Sequence, residues 1–559
     1  MLLRQLKAVR LGFLSMLGVL GYTFASTTGR NLHTNPSRPH ILVIVMDDLG
    51  SNDLGMHGSG IRTPTCDVLA KQGIFLDNYY VLPSCSPTRA ALLSGRYPLH
   101  TGVHTFILDR STAGLPLDEE TLPQILRRAN YTTHGVGKWH VGHSSWNQTP
   151  TFRGFESFFG YYTGGQDYFN QTSTWKVDCR YKALYGLRWD SHEFCGANCS
   201  QFVDERGNYS THVFTQRAVD VIYNHAQSKE EKPLFLYLAF EAVHAPDEVP
   251  LAYKDLYRNT NWTDLRKTYA GMLTAADEGI ANVTRALQET GLWNNTLIVF
   301  TTDNGGPTET CDVQGSSNFP RRGGKCSVWE GGTTGDGFIS GPALSTMAGM
   351  IGNRHMADIF HVVDWLPTLA ELVGAKPEGK VLDGVSQLSQ LRGINTTASA
   401  RSEVFIGYAQ TLDGLWYGPA IRRNQWKLVQ GDSGGPYGGS GATVLGGSDV
   451  PRAGGVGSST YLLFNLDEDR AENKNVANRY PGYVQWLRSR LVEYQKTYVP
   501  PQPNKDSACP FTGFVNSSVV GPAWYAVGSC WIPGNRWISV SLTCFASLHR
   551  LLSIFPSRC

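Results

Sequence analysis

Apolar residues fall along this chain in unbroken blocks, and most of the blocks end in polar or acidic residues. His40 opens the run Ile41-Leu42-Val43-Ile44-Val45-Met46, which stops at Asp47-Asp48. A short run without alternation predicts a central strand covered on both faces. Acidic residues at its end would project into the crevice where open α/β sheets carry their sites. Leu234 to Phe240 repeats the pattern behind Pro233 and leads to Val243-His244-Ala245-Pro246, while Leu297 to Phe300 delivers Thr301-Thr302-Asp303-Asn304-Gly305-Gly306. Phe75 to Val81 reads as an extended segment, and Tyr131-Thr132-Thr133 as a strand leading to Gly135-Val136-Gly137-Lys138-Trp139-His140-Val141-Gly142. Helices are predicted from Thr63-Pro64-Thr65 through Leu69, over Leu122 to Ala129, Thr211 to His225, Leu265 to Leu287 and Asp358 to Leu372. In the last of these, Ile359, Val362, Val363, Leu366 and Leu369 are expected to share an apolar face. Buried strands with polar outlets, separated by helices, predict an α/β sandwich around a largely parallel sheet.

The pattern changes near residues 380–400, which marks a domain boundary, with a main domain over 38–385 and a smaller one over 400–505. The smaller domain is expected to hold short strands around Ala420 to Val429 and Tyr461 to Leu466, and a helix over Tyr483 to Tyr494. Phe152 to Asn208, rich in Gly, aromatics and Cys, reads as a long excursion on the substrate side held by a disulfide. Gly431 to Gly457 reads as a loop, with no nucleotide-binding motif. Residues 506–559 form a tail without an uninterrupted twenty-residue apolar core.

Composition narrows the class. The chain has 559 residues, with 41% hydrophobic and 17% charged, which suits a folded protein rather than a disordered one. Its net charge is +2, so no global field points to nucleic acid or a membrane surface. Arg4, Lys7 and Arg10 precede an apolar stretch from Leu11 to about Ala25, the pattern of a secretory signal over 1–25. Eleven cysteines and ten Asn-x-Ser/Thr sequons fit that exported route. Cys179, Cys195 and Cys199 form one local group, and Cys311 with Cys326 a candidate pair. No Cys-x-x-Cys pair supports a zinc site.

The chemistry centres on Leu82-Pro83-Ser84-Cys85-Ser86-Pro87-Thr88-Arg89. Pro87 is tolerated in a first helical turn, which sets Cys85 near a helix N-terminus, where free amides favour negative charge. Arg89 returns to the same face four residues on, beside any anion held at Cys85. An isolated cysteine in an exported chain is otherwise buried or disulfide-bonded. Taken singly, Asp47 or Asp303 could equally be a strand-end residue, and each histidine, lysine or arginine a solvated or hydrogen-bonded one.

Cys85-x-Pro87-x-Arg89 followed by Leu93-Ser94-Gly95-Arg96 resembles the sulfatase signature. Asp47-Asp48-Leu49-Gly50, Gly102-Val103-His104, Gly135 to Gly142, Val243 to Pro246, Asp303 to Gly306 and Gly324-Lys325 with Trp329 to Gly332 extend the resemblance over residues 38–505. The arylsulfatase B group of animal sulfatases is the nearest likeness. The resemblance implies an alkaline-phosphatase-like α/β sandwich around a large, mostly parallel sheet, with a smaller C-terminal α+β domain. It implies that a formylglycine-generating enzyme converts Cys85 to formylglycine (3-oxoalanine), leaving ten cysteines. One hydroxyl of the hydrated aldehyde attacks sulfur and expels the substrate alcohol, and proton loss from the other releases sulfate. Asp47, Asp48, Asp303 and Asn304, with modified Cys85, would hold one divalent ion, Ca²⁺ suiting these oxygen ligands better than Mg²⁺. Arg89 and Lys138 would hold formylglycine oxygen and sulfate charge. His140 would hold or deprotonate the formylglycine hydroxyl, and His244 would protonate the leaving group with help from Lys325. His104 and Trp139 stand behind these, since packing explains them equally well.

The implied substrate is a sulfated saccharide or glycosaminoglycan, with 4-sulfated N-acetylgalactosamine of chondroitin or dermatan sulfate foremost, and the implied setting lysosomal or extracellular. Thr333-Thr334-Gly335 stands where many arylsulfatase B-like chains carry a basic residue before the glycine, and their cysteine-containing insertion is absent at Ser111 to Leu115. The competing readings are a sulfatase of other sugar specificity, a related phosphodiesterase or phosphonate hydrolase, and a sulfated-glycan-binding protein without chemistry.

Overall fold

The structure is a computed structural model that describes residues 38–502, apart from 110, 173–186, 192–199, 229–230, 309–310, 312–313, 347–349, 395–398, 411–415 and 432–460. The expected leader, the Cys179, Cys195 and Cys199 group, residues 432–457 of the glycine-rich loop and the tail beyond 502 lie outside the described residues.

The main sheet contains β1 (His40–Met46), β2 (Ile74–Tyr80), β3 (Thr132–Lys138), β4 (Ser157–Tyr161), β5 (Leu187–Ser191), β6 (Ser200–Val203), β7 (Leu234–Ala239), β8 (Thr296–Thr302), β9 (Gly337–Ser340) and β10 (Arg354–His361). Its order is β10-β2-β9-β8-β1-β7-β3-β4-β5-β6. All neighbours pair in parallel except around β9 and β5, which run against the other strands. This is the expected sandwich, with β9 inserted antiparallel into its middle.

Unbroken apolar runs end up in the sheet centre because both of their faces are covered. Ile41, Val43 and Val45 of β1 pack into one core with Phe235, Tyr237, Leu297 and Val299. Leu42, Ile44 and Met46 pack into a second core with Leu236, Leu238, Ile298 and Phe300. Helices α1 (Pro64–Gln72), Ser210–Gln227 and Asp264–Glu289 cover the second face, and α2 (Cys85–Ser94), Leu122–Arg128 and Trp365–Leu372 the first. Each buried Leu, Ile, Val or Phe contributes roughly 1.5–3 kcal/mol relative to exposure.

Asp358 to Leu372 is not one helix. Residues up to His361 complete β10, paired through Ile359, Phe360 and His361 with Asn78, Tyr79 and Tyr80, and the helix begins only at Trp365. Ile359 therefore faces a third core with Tyr80, Val404 and Leu462, whereas Val362, Val363, Leu366 and Leu369 enter the first. The spacing fits both periods over so few residues, and pairing with β2 decides the outcome.

The smaller sheet is antiparallel, in the order β11 (Glu403–Gln410), β12 (Trp416–Arg423), β13 (Trp426–Gln430) and β14 (Tyr461–Asn465), and helix Pro481–Gln495 accompanies it. Val404, Ile406, Val429 and Phe464 pack against Tyr80, Val328 and Trp329, while Phe405, Ile421, Leu428 and Leu463 join Leu487 and Leu491 of the helix.

A buried charge cluster ties this sheet to the main one. Lys427 Nζ, fully buried, lies 3.0 Å from Glu330 Oε1 and 2.7 Å from Glu472 Oε1, and Tyr80 donates to Glu330 Oε2 at 2.7 Å. Burial, reinforced by Glu330 and opposed by Lys427, pushes the Glu472 carboxyl up from 4.5 to about 7. Between those values the folded chain binds the proton that the unfolded chain has lost, so this group's stabilisation is full below pH 4.5 and fades as pH rises through 7. Urea unfolding at pH 5 and pH 8 is expected to show a smaller loss of stability with rising pH in Glu472→Gln than in the parent. Equal losses in the two proteins would remove Glu472 from the account.

Candidate active site

Strands β8, β1, β7 and β3 lie side by side and point the same way. Val45 registers with Ala239 and Thr301, and Ala239 with Gly137, so the strands leave the sheet almost level. The next residues out are Lys138, Asp47 and Asp303, followed by His140, Asp48, Asn304 and the turn to His244. Backbone bonds lock these outlets together: Asp47 N to Ala242 O at 3.0 Å, Asp303 N to Met46 O at 3.1 Å, and His140 N to Tyr162 O at 3.1 Å. Asp48 and His140 hold φ values of 59° and 56°, a left-handed conformation that β-carbon-bearing residues adopt at a cost of order 1–3 kcal/mol.

Cys85 reaches the same place from β2. The loop after that strand turns into α2, of which Cys85 is the first residue and every member is buried. Thr88 Oγ1 accepts from Leu82 N at 2.9 Å and Ser86 Oγ from Ile107 N at 3.0 Å, which fixes the entry of the helix. Lys325 comes from a loop closed by the disulfide Cys311–Cys326, the pair expected from the sequence. Cys326 N donates to Pro83 O at 2.7 Å, so this loop sits directly on the one that leads to Cys85.

The charged groups interlock. Asp303 Oδ2 accepts from Arg89 Nε at 3.0 Å and Nη2 at 2.8 Å; the same Nη2 lies 3.5 Å from Asp47 Oδ2, and Nη1 donates to Lys138 O at 3.2 Å. Lys138 Nζ pairs with Asp47 Oδ2, and Lys325 Nζ with Asp48 Oδ2 at 2.8 Å. Asn304 Nδ2 donates to Asp48 Oδ1 at 2.6 Å. Burial, opposed by Lys325, His244 and Lys138, leaves the Asp48 carboxyl at about 2. Burial and then Asp303 raise Asp47 well above the carboxylate range, despite Lys138 and Arg89. Burial also pushes the Cys85 thiol up to about 11, against the pull of Lys138 and Lys325.

The two histidines are held neutral and oriented oppositely. His140 Nε2 faces the Ile107 carbonyl at 2.9 Å and must donate to it, which leaves buried Nδ1 as a lone pair without a hydrogen-bond partner among the described residues. His244 Nδ1 donates to Ala245 O at 2.7 Å, so its lone pair is on Nε2, 3.8 Å from Asp48 Oδ2. Burial lowers both well below 6.5, helped by Lys138 at His140 and by Lys325 at His244.

Asp47, Asp48 and His244 offer ligand atoms that all lie within 4.8 Å of one another, a cluster able to hold a metal ion. Among the described residues Asp47 Oδ1 and Asn304 Oδ1 are buried without a hydrogen-bond partner, at a cost of roughly 1–3 kcal/mol each unless something binds them. Those two orphaned oxygens, with the carboxylates of Asp48 and Asp303, are a hard-oxygen set of the kind Ca²⁺ takes. The residues present therefore fit the ion.

All ten residues singled out from the sequence converge on this edge of the sheet. His104 and Trp139 do not add to its chemistry: His104 Nε2 binds Val499 O at 2.8 Å, and Trp139 Nε1 donates to Gly142 O and Gln148 O at 3.0 Å. Sequence reasoning missed Asn318 and Glu241. Asn318 Oδ1 accepts from Ser51 N and Gly306 N, stitching two site loops together. Glu241 is fully buried just beyond β7 and burial pushes its carboxyl up to about 8. The available signal was the one that marked Asp47, an acidic residue at the outlet of an apolar strand.

The sequence pattern named Sulfatase matches residues 39–375. The chain belongs to the sulfatase family. As a sulfatase, and hence a sulfuric-ester hydrolase by family, it is 37% identical to arylsulfatase J of Mus musculus over 88% of this chain and 81% of that protein. It is 28% identical to N-acetylgalactosamine-6-sulfatase of Canis lupus familiaris over 86% and 90% of the two chains. Among solved structures, this sulfatase resembles Ps i-CgsB in complex with k-i-k-neocarrahexaose, with a TM-score of 0.68 and 28% identity over 83% of this chain and 94% of that one. These likenesses place it among the sulfatases without singling out the arylsulfatase B group. No helix among the described residues is long and apolar enough to cross a membrane.

Proposed function

We propose that the protein hydrolyses sulfate esters of a saccharide, with residue 85 as nucleophile and one Ca²⁺ bound by Asp47, Asp48, Asp303, Asn304 and the modified Cys85. The observation that carries this is the convergence, on a buried helix-start cysteine, of three carboxylates, three cations and two unpartnered oxygens. Ca²⁺ would hold Asp47 as a carboxylate beside Asp48 and Asp303, and the three carboxylates would then balance Arg89, Lys138 and Lys325, so that the ion adds the positive charge that an incoming sulfate ester needs. Converted to formylglycine in the secretory pathway and hydrated, position 85 supplies an oxygen nucleophile, and bound Ca²⁺ offsets the charge gathered there.

The chain's own residues do the rest. Arg89 and Lys138 fix the position-85 oxygens and sulfate charge. His140, neutral with its lone pair on Nδ1, takes the proton from the hydroxyl at position 85. His244 is neutral in the free protein, and an anionic ester beside Nε2 raises its proton affinity, so it takes a proton from solvent as the substrate binds and gives it to the leaving oxygen. Lys325, 2.8 Å from Asp48, steadies the sulfate or bridging oxygen.

The names of the relatives favour a sulfated sugar broadly over the single 4-sulfated N-acetylgalactosamine unit. Mass analysis of the Cys85 peptide from a secretory host tests the prerequisite. Release of sulfate is then compared among 4- and 6-sulfated N-acetylgalactosamine, sulfated galactan oligosaccharides and an aryl sulfate, with a phosphate diester as control. Unmodified cysteine, or turnover of the diester alone, would end the sulfatase reading.

Ion binding makes a separate prediction. Ca²⁺ at about 100 times its Kd stabilises the folded state by about 2.7 kcal/mol. Thermal unfolding with Ca²⁺ and with a chelator is expected to differ accordingly, and Asp47→Ala to abolish the difference. A chelator effect that persists in Asp47→Ala would move the ion elsewhere.

A further inference from the structure

Glu241 has no part in the chemistry above, although it is fully buried three residues before His244. Its Oε1 accepts from Gln166 N at 3.2 Å, and its Oε2 from Gln166 Nε2 at 3.3 Å and Ser210 Oγ at 2.8 Å. Its carbonyl accepts from His244 N at 2.9 Å, so the residue spans the turn to His244 and the segment that ends at Gln166.

That segment lies directly on both histidines. A Cβ at Gly164 would come within 2.8 Å of His140 Cε1 and 2.9 Å of Nε2, and one at Gly165 within 3.1 Å of His244 Cε1 and 3.2 Å of Nδ1. A side chain at Gly164 would displace the His140 ring and one at Gly165 would push the His244 ring by a few tenths of an ångström, since the backbone itself is pressed against two imidazoles. Tyr168, two residues beyond Gln166, donates to His244 O at 2.9 Å and extends the same clamp. Among the described residues each imidazole makes one hydrogen bond, to Ile107 O or Ala245 O, and His244 Nε2 lies a looser 3.8 Å from Asp48 Oδ2, which leaves ring tilt to the packed face.

We propose that Glu241 is a positioning residue: by anchoring Gln166 it presses Gly164 and Gly165 onto His140 and His244 and sets the direction of both free imidazole lone pairs. This rests on the proposed roles of the two histidines, but its geometry can be read without turnover. Ring misplacement by a fraction of an ångström moves two proton transfers at once, whereas substrate contacts with Arg89, Lys138 and Lys325 stay in place. The effect therefore falls on kcat rather than KM.

The test uses the full, matured, Ca²⁺-loaded glycoprotein and the variants Glu241→Ala, Glu241→Gln, Gly164→Ala and Glu241→Ala/Gly164→Ala. Two readouts are followed, aryl sulfate kinetics across pH and the ring signals of carbon-13-labelled histidine. Glu241→Ala is expected to lose roughly 10–100-fold in kcat with KM little changed and a shifted pH profile. Gly164→Ala should reproduce that pattern, the double variant should be no worse than the poorer single one, and Glu241→Gln should recover part of the loss. His140 and His244 signals should move while that of His57, held by Asp336 and packed on Phe75, stays. Unchanged ring signals, or losses that multiply in the double variant, would overturn the proposal. If Glu241→Ala does not fold, Glu241→Gln and Gly164→Ala carry the same comparison. A parent protein without sulfate release but with moving ring signals would end the sulfatase reading and leave the positioning role standing.

Discussion

Cys85→Ala is expected to fold like the parent and to lose sulfate-ester turnover by on the order of 10⁴-fold or more, since the proposed nucleophile is removed. The fold should survive because the side chain is small, carries no disulfide and lies in a helix held by Thr88, Ser86 and the buried leucines of α2. Activity should not survive because the proposed reaction needs two hydroxyls on one carbon at position 85, which alanine cannot supply, and the three carboxylates are already paired with Arg89, Lys138 and Lys325. The unconverted thiol is a poor substitute. With its pKa at about 11, only about one molecule in 10⁴ is thiolate at pH 7, so a cysteine left unmodified should be nearly as inactive as alanine. Cys85→Ser presents one hydroxyl where the reaction needs two on one carbon, and sustained turnover should fail there too. Kinetics on an aryl sulfate, with thermal unfolding as the control for folding, check all three. More than about 1% residual turnover in the alanine variant would mean that the nucleophile lies elsewhere.

The parts of this site that the sequence made legible share one property: each sits where a local pattern ends. Asp47 and Asp303 close unbroken apolar runs, His244 follows a third, and Cys85 opens a helix whose first turn contains Pro87. Chain direction in a parallel sheet then carries these ends to one edge without further information. Lys325 needed the resemblance, because the loop that bears it has no periodicity and is placed by a disulfide and by Cys326 N on Pro83 O. Contacts between distant segments were not legible. Gly164 and Gly165 read only as part of a glycine-rich excursion, and nothing in their neighbourhood announces two imidazoles. The strand at Arg354–His361 was hidden for the same reason, since its identity depends on pairing with Ile74–Tyr80, far away in the chain. Glu241 had the same local signal as Asp47 but accepts hydrogen bonds from Gln166 and Ser210 instead of joining the proposed ion site, a difference only the fold supplies.

Asp303→Ala should be the most damaging single change to stability in the site, by roughly 3–5 kcal/mol, because it strands a buried cation. Arg89 is fully buried, and Asp303 Oδ2 receives two of its N–H groups at 2.8 and 3.0 Å; without it the nearest carboxylate is Asp47 at 3.5 Å, already held by Lys138. The change also removes Oδ1, which accepts from Asp48 N at 3.2 Å and so helps to hold the left-handed turn at Asp48. Activity and Ca²⁺-dependent stabilisation should both disappear. Urea unfolding in the presence of chelator separates the buried-charge cost from the loss of the ion. Under those conditions Arg89→Met/Asp303→Ala should be less destabilised than the sum of its single variants, since the methionine removes the stranded charge, and a coupling of roughly 1–3 kcal/mol is expected. Additive losses would show that Arg89 finds adequate compensation from Asp47 and the Lys138 carbonyl alone, and that Asp303 matters to this protein through the ion and not through the guanidinium.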